Sequence, residues 1–345
     1  MRNPARRIYD HHKNRKGSKT KKLTKLFILI VFLFIIGNLL VRLPSLFKNL
    51  NKPFDKIQSK LIQEGSINDE YRTNIILFSM SNKDNLQDLA LASFSPSKNA
   101  VSIIRIPISV QAYSTGINEF VSLGAAYFAK PYVDSGFDSA YIISKETLAI
   151  PIDGYFVFRE DRLEFDEKTV RKIKEKLYSP GFFFRFLSYK NYLDKHMNTN
   201  YSISKLWPLS WNFKEISAEK LKVSDLKEAA AGKQFKQSDT DNFLRGVILD
   251  NSIVNEASLV EVVGEATVSN LISRVVNNLG GSTINFGDDV HNYPETKVIL
   301  GSDNSKIAKR VARFIGVEVE KGVVPSGADV QVVIGDDFGK IFFGR

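Results

Sequence analysis

Residues 74–80 (NIILFSM), 89–94 (LALASF) and 101–106 (VSIIRI) are three apolar runs that decide the fold of the central part of this chain. Each run has the length and the composition of a buried β-strand. Residues 95–99 (SPSKN), which join the second run to the third, are typical of a tight turn. We therefore predict that these two runs pair as a hairpin.

Helical stretches are predicted after this hairpin, over residues 117–129 and 138–149. Another strand is predicted at residues 155–158 (YFVF). Because strands alternate with helices, we expect an α/β fold in which the central domain has α/β/α layers.

A second α/β pattern starts at residue 257 and predicts a small C-terminal module. Its strands are predicted at residues 259–263, 283–286, 297–300 and 330–334. Two helices lie between them, and each has one apolar face at helical spacing. The first face consists of Val268, Leu271, Ile272, Val275, Val276 and Leu279, and the second of Ile307, Val311, Phe314 and Ile315. Gly280 and Gly316 follow these helices, at the position where a left-handed cap is common.

The N-terminal sequence predicts the subcellular location of the protein. Ten of the first 25 residues are Lys or Arg, and an apolar stretch follows at residues 26–43. This stretch is close to the roughly 20 residues that a bilayer requires, and no small-residue cleavage site follows it. A basic segment before a single apolar span stays in the cytoplasm. We therefore predict a single-pass signal anchor in the cell membrane, with a cytoplasmic N-terminus and an extracytoplasmic body.

The net charge excludes one class of partner. The chain carries +10, of which the first 25 residues contribute +9, so the rest of the chain is close to neutral. A nucleic-acid-binding body would carry a basic face of its own. We expect no nucleic-acid partner.

Residue types also restrict the chemistry. The chain has no cysteine and only four histidines, two of which lie in the basic tail. This excludes disulfides, thiol catalysis, thiolate metal sites and a histidine-rich metal cluster. We predict no metal site and no cofactor.

These patterns divide the chain into six segments. They are a basic cytoplasmic tail (1–25), a transmembrane signal anchor (26–43), a juxtamembrane spacer (44–71), an α/β central domain (72–226), a linker (227–256) and the C-terminal module (257–340).

The C-terminal module resembles the LytR C-terminal domain. The resemblance lies in residues 260–262 (VEV), the helix around Leu271, residues 308–316 (AKRVARFIG) and residues 327–338 (GADVQVVIGDDF). Together with the anchor and the central α/β domain, it makes the whole architecture similar to the LytR–CpsA–Psr family of envelope proteins. One departure is the turn at residues 264–267 (GEAT), where the family has Asn-Gly-Thr-Gly.

The central domain resembles the catalytic domain of that family in a degenerate form. The family transfers a polymer from a polyprenyl pyrophosphate carrier to the cell wall, with arginines and aspartates that hold the pyrophosphate and a divalent metal. Here Ile108 and Ser109 stand where the family has Arg and Asp, and Asn85 and Gln87 stand where it has Arg and Asp in an earlier motif. Asp88 and Arg105 are the nearby residues that could replace them. The resemblance implies Mg²⁺ only if transferase activity persists.

Two other groups of residues are candidate ligand sites. Phe182, Phe183 and Phe184 belong to an aromatic run that could line an apolar pocket. The second helix of the module carries a basic face, Lys306, Lys309, Arg310 and Arg313, that could meet an anionic polymer or lipid.

The leading hypothesis is an anchored cell-envelope protein that has lost transferase catalysis and acts by binding or scaffolding. Its candidate ligands are a polyprenyl-phosphate lipid and wall polymer. One alternative is a divergent but active phosphotransferase. Another is a regulatory protein whose C-terminal module binds envelope proteins.

Overall fold

The computed structural model describes residues 65–67, 70–81, 85–129, 136–159, 163–178, 196–226, 234–287, 293–301 and 304–344. The predicted tail, the anchor, nearly all of the spacer, and Phe182, Phe183 and Phe184 lie outside these residues. Among the helices of the described ranges, none combines the length and the apolar character needed to cross a membrane. The fold belongs to one compact unit, Pro53–Arg345.

The first half of this unit is built on a mixed sheet. Its strands are β1 (Thr73–Met80), β2 (Leu86–Ser95), β3 (Ala100–Arg105), β4 (Gln111–Ser114), β5 (Glu119–Ser122), β6 (Gly154–Arg159), β7 (Met197–Thr199) and β8 (Leu221–Asp225). Six of them form the central sheet in the order β7-β6-β1-β2-β3-β8, and β4 pairs with β5 in a separate hairpin. Strand β1 is central and almost entirely buried, which explains its continuous apolar sequence.

The predicted hairpin is confirmed. Strands β2 and β3 are antiparallel, with Ala90 opposite Arg105 and Ser95 opposite Ala100. The turn between them ends at Asn99, whose positive φ of 44° is a conformation that asparagine tolerates well.

The helices of this half are α1 (Leu123–Ala129), α2 (Gly136–Leu148), α3 (Glu167–Tyr178) and α4 (Ile203–Glu215), and a 3₁₀ turn follows at Ala218–Lys220. The helix predicted over residues 117–129 begins only at Leu123. Asn118 has a φ of 57°, which ends any helix there and forms the turn of the β4–β5 hairpin. All residues of α2 are buried, because this helix lies between the central sheet and the C-terminal half.

The C-terminal half contains a second sheet. Its strands are β9 (Leu259–Gly264), β10 (Ser282–Gly287), β11 (Lys297–Leu300), β12 (Val319–Lys321) and β13 (Val330–Val333), in the order β10-β9-β13-β11-β12. Its helices are α5 (Gln237–Ile248), α6 (Asn251–Val254), α7 (Ala266–Leu279), α8 (Lys306–Ile315) and α9 (Phe338–Phe343). The predicted glycine caps are confirmed, since Gly280 and Gly316 have φ angles of 101° and 107°.

Part of the predicted linker is folded. Helices α5 and α6 lie within residues 227–256, and Leu244, Ile248 and Ile253 on them are buried. Only a few apolar residues of α5 reach the core, so the apolar residues in its sequence show only weak helical periodicity. The domain boundaries themselves stay a prediction.

Apolar packing joins the two halves. A single core extends from β1 and β2 through α2 to α7, α8 and β13. A second, smaller core covers the opposite face of the central sheet, beneath α3 and α4, and contains Ala90, Ala92, Val101 and Ile103. We call this opposite face the outer face of the central sheet.

Candidate functional site

The two candidate catalytic residues lie next to each other. Asp88 is near the start of β2 and Arg105 is the last residue of β3, and these strands are antiparallel neighbours. Both follow the period-two pattern of the outer face, because Ala90, Ala92 and Ile103 are buried there. An Arg105 Nη2 atom lies 3.5 Å from Asp88 Oδ2. The hairpin thus brings together two residues that are 17 positions apart in the chain.

Asp88 is already engaged by the backbone. Its Oδ1 accepts the Leu89 N–H at 3.0 Å, and its Oδ2 accepts the Phe165 N–H at 2.8 Å. The side chain is only 12% exposed. The bond from Phe165 holds the loop before α3 against the sheet, which is a structural task for a carboxylate.

Arg105 is surrounded by acidic side chains. Besides Asp88, Glu164 approaches its guanidinium at 4.0 Å. The pKa of Asp166 is lowered, first by hydrogen bonds from Thr169 at the start of α3 and further by the charge of Arg105. A single guanidinium among three carboxylates carries no surplus positive charge for a polyanion such as pyrophosphate.

The residues at this edge do not fit the divalent metal that the resemblance implies. A hard cation takes six or more oxygen ligands, typically from several carboxylates. Here the Asp88 oxygens accept backbone N–H groups and face Arg105. Within the described ranges, no group of three or more His, Cys, Asp or Glu side chains could hold a metal ion. We therefore derive no metal-dependent step.

Ile108, Ser109 and Asn85 lie on loops near this edge and Gln87 lies in β2, and none of the four adds charge. Ile108 is half-buried against the main core, and its carbonyl oxygen accepts the Gly124 N–H at 3.0 Å. Ser109, Asn85 and Gln87 are exposed. The main chain of Asn85 is tied to Ser81 by two hydrogen bonds. All four side chains at these positions are neutral.

A groove lies at the other end of the outer face. It has a volume of about 220 Å³ and is lined chiefly by Thr73, Phe94, Ser95, Ala100, Leu209 and Ile216. Ala100 and Arg105 are the two ends of β3, so the groove is roughly 17 Å from the charged pair along the strand. The buried apolar side chains of the second core lie between them. Sequence reasoning missed this groove, because Leu209 and Ile216 come to it from more than 100 residues away in the chain.

The structure corrects the predicted basic face of helix α8. Arg310 is only 1% exposed and forms an ion pair with Asp153, at the start of β6. Its Nη2 also donates to the Pro151 carbonyl at 3.4 Å, and Arg313 Nη2 donates to the Asp153 carbonyl at 3.0 Å. Only Lys309 is exposed, and Lys306 is half-buried. The two arginines therefore join the halves of the unit instead of forming part of a free basic surface.

A third arginine from the C-terminal half reaches the same boundary. Arg274 on α7 pairs with Asp241 at 2.8 Å and donates to the Thr147 carbonyl at 3.1 Å. Asn278, one turn later, also donates to Asp241 at 2.9 Å. These groups occupy the carbonyls at the end of α2, where cationic and N–H donors are favourable. Their role was not apparent from the sequence, where Arg274 and Asn278 look like ordinary polar positions of an amphipathic helix.

Lys145 is an unusual buried cation at this boundary. Its Nζ lies 4.1 Å from the centre of the Phe342 ring and 4.9 Å from that of Phe314. Burial lowers the pKa of Lys145 to about 7, against the opposing charge of the neighbouring Glu146 and with a smaller contribution from Arg313. Cation–π contact with two rings partly offsets the cost of burying the ammonium group.

Comparisons with known proteins gave matches only among solved structures, since no protein-family model and no curated protein matches the chain. TagV of B. subtilis matches with 11% identity and a TM-score of 0.40, covering 50% of this chain and 94% of that one. The transcriptional regulator EF0465 of Enterococcus faecalis matches with 10% identity and a TM-score of 0.40, covering 63% and 92%. TagT bound to LIIa-WTA matches with 12% identity and a TM-score of 0.36, covering 55% and 95%.

TagV and TagT are members of the LytR–CpsA–Psr family, which is the family that the sequence resembles. Every one of these TM-scores is under 0.5.

Proposed function

We propose that this chain is a membrane-anchored, extracytoplasmic envelope protein of LytR–CpsA–Psr type that binds at the cell wall without catalysing polymer transfer. The observation that carries the proposal is that the two candidate catalytic residues already contact other groups of the protein. Asp88 accepts hydrogen bonds from two backbone N–H groups, and the Arg105 guanidinium lies 3.5 Å from Asp88 and 4.0 Å from Glu164, with its Nε buried and without a hydrogen-bond partner among the described residues. With Ile108 and Ser109 at the positions where the family has charged residues, the described residues at this edge form no cluster of cations that could bind a pyrophosphate.

The candidate ligand is a polyprenyl-phosphate lipid on the outer face of the central sheet. Such a lipid requires an apolar path for its chain and a polar end for its phosphate. The groove offers both, since Phe94, Leu209 and Ile216 in its lining are apolar and Thr73, Ser95 and Asn212 are polar. The groove alone is smaller than the roughly 300–1,000 Å³ of pockets that enclose whole ligands, so it would take only part of the chain.

Photocrosslinking of the full-length protein tests the ligand. The probes are a photoactivatable polyprenyl monophosphate and the matching pyrophosphate. We expect labelling that Ala100→Trp reduces about tenfold, since the indole would fill the groove; a loss of that size corresponds to about 1.4 kcal/mol of binding. Ala125→Trp is the matched control, because Ala125 is exposed on α1. Labelling no stronger than that of an unrelated membrane protein would eliminate the lipid as a ligand.

A turnover assay tests the absence of catalysis. The full-length protein is incubated with a polymer-linked polyprenyl pyrophosphate and Mg²⁺, and release of the carrier is measured. We expect no release above background. Release that falls by orders of magnitude in Asp88→Asn or Arg105→Gln would establish the divergent transferase and overturn the proposal.

A further inference from the structure

The chain segment that leads into the folded body is held from both sides. We call residues 65–67 and 70–72 the leading segment. On the side of the central domain, the Gly65 N–H donates to the Asn200 carbonyl at 3.0 Å, and the Ser66 N–H donates to the Asp153 carbonyl at 3.1 Å. Lys205 Nζ donates to the Gly65 carbonyl at 2.9 Å.

The C-terminal half supplies three further contacts. The Arg72 N–H donates to Asp250 Oδ2 at 2.7 Å. Ser252 Oγ donates to the Glu70 carbonyl at 3.1 Å. The guanidinium of Arg310 lies 4.9 Å from the centre of the Tyr71 ring. Asp250 and Ser252 lie at the start of α6, and Arg310 lies on α8. Each is at least 178 positions away in the chain from the residue that it contacts.

We propose that Asp250, Ser252 and Arg310 form a clamp through which the C-terminal half fixes the leading segment against the central sheet. The residue that the clamp holds most tightly is Arg72, which is only 6% exposed although it lies at the margin of the folded body. Its side chain is held separately, by a bond from Nη1 to Ser93 Oγ at 3.2 Å. The C-terminal half therefore holds the leading segment in place independently of any external ligand.

Limited trypsin digestion of the full-length protein tests the clamp, because trypsin cleaves after Arg72 only when this segment opens. The test variant is Asp250→Asn/Ser252→Ala. The asparagine can still cap α6, as Asp250 does for Ser252 N, but it no longer offers two acceptors. Each change removes about one hydrogen bond to the leading segment, so opening should increase roughly tenfold or more.

The expected result is faster appearance of a fragment that begins at Thr73, identified by its mass, with an unchanged thermal midpoint. Ser238→Ala is the matched control, because Ser238 is an exposed serine of α5. Cleavage after Arg72 at the wild-type rate would overturn the clamp. Cleavage at many sites at once would also overturn it, since the contacts would then stabilise the whole fold instead of this segment.

An independent observation indicates a bound water molecule beneath the clamp. A cavity of about 10 Å³ is lined by residues that include Arg72, Asn74, Asp250, Asn278 and Arg310. Among the described residues, Arg72 Nε and Asn278 Oδ1 are buried polar atoms without a hydrogen-bond partner. One is a donor and the other an acceptor, and the volume suits a single water. We infer that one ordered water bridges the two.

A crystal structure of the protein at a resolution that shows ordered water tests this site. We expect density about 2.7–3.2 Å from both Arg72 Nε and Asn278 Oδ1. An empty cavity, or protein groups that satisfy both atoms directly, would overturn the inference.

Discussion

Arg310 on helix α8 and Asp153 before strand β6 form an ion pair whose side chains are only 2% and 3% exposed. The pair joins the C-terminal half of the protein to the central sheet, and 157 positions separate the two residues in the chain. Asp153 Oδ2 also accepts the Asn74 N–H at 2.8 Å, so the carboxylate is fully occupied.

Removing the arginine should leave a buried carboxylate without its main partner. We expect Arg310→Met to lower the free energy of unfolding by about 3 kcal/mol, near the low end for a broken buried pair, because Arg313 remains nearby. Urea denaturation measures the change. Lys309→Met is the control, since Lys309 is exposed on the same helix and should change stability by less than about 0.5 kcal/mol. Equal effects of the two substitutions would show that the ion pair contributes nothing.

Lys145 should make stability depend on alkaline pH. Its pKa is about 7 in the folded protein, below the ordinary value of 10.5. Between these values the unfolded chain binds more protons than the folded protein, so the free energy of unfolding should rise with pH. The rise from this one group is roughly 3–5 kcal/mol between pH 7 and pH 10.5. We expect Lys145→Met to remove it, and parallel stability curves for the two proteins would contradict the assignment.

The C-terminal module should not fold alone. Residues 257–345 without the rest would lose Asp153, Asp241 and the buried surface of α2, and would expose Arg274 and Arg310 together with the apolar residues around them. We expect this fragment to give no cooperative thermal transition by circular dichroism, whereas residues 53–345 give one. A fragment with a sharp transition and dispersed NMR signals would instead support an autonomous partner-binding module.

Two glycines should respond in opposite directions to the same substitution. A Cβ at Gly154 would lie 2.1 Å from the Tyr201 ring, so Gly154→Ala should destabilise the protein by about 2 kcal/mol or more. Gly246 in helix α5 has no neighbour within 4 Å of such a Cβ. Gly246→Ala should therefore stabilise by about 0.5–1 kcal/mol through helix propensity. Thermal unfolding of both variants measures these changes in stability. A Gly154→Ala variant as stable as the wild type would mean that Tyr201 can move aside.

Local patterns were sufficient for most of the secondary structure. The three apolar runs became β1, β2 and β3, and the periodic faces around Val275 and Val311 became α7 and α8. Strand and helix periods are set by the neighbours within a few residues, so they can be read from one segment at a time. The helix predicted from residue 117 was too long, because a single left-handed residue, Asn118, makes the turn of a hairpin there.

The sequence by itself determined the α/β class, the hairpin of β2 and β3, and the absence of thiol chemistry. It also predicts the anchor, which lies outside the described residues. Only the tertiary structure decided that Arg310 is an interior partner of Asp153 and not part of a basic surface. The physical reason is that a solvent-exposed surface and a buried ion pair both accept a charged residue at the same position of an amphipathic helix. A distant carboxylate, invisible in the local sequence, determines which environment the arginine occupies.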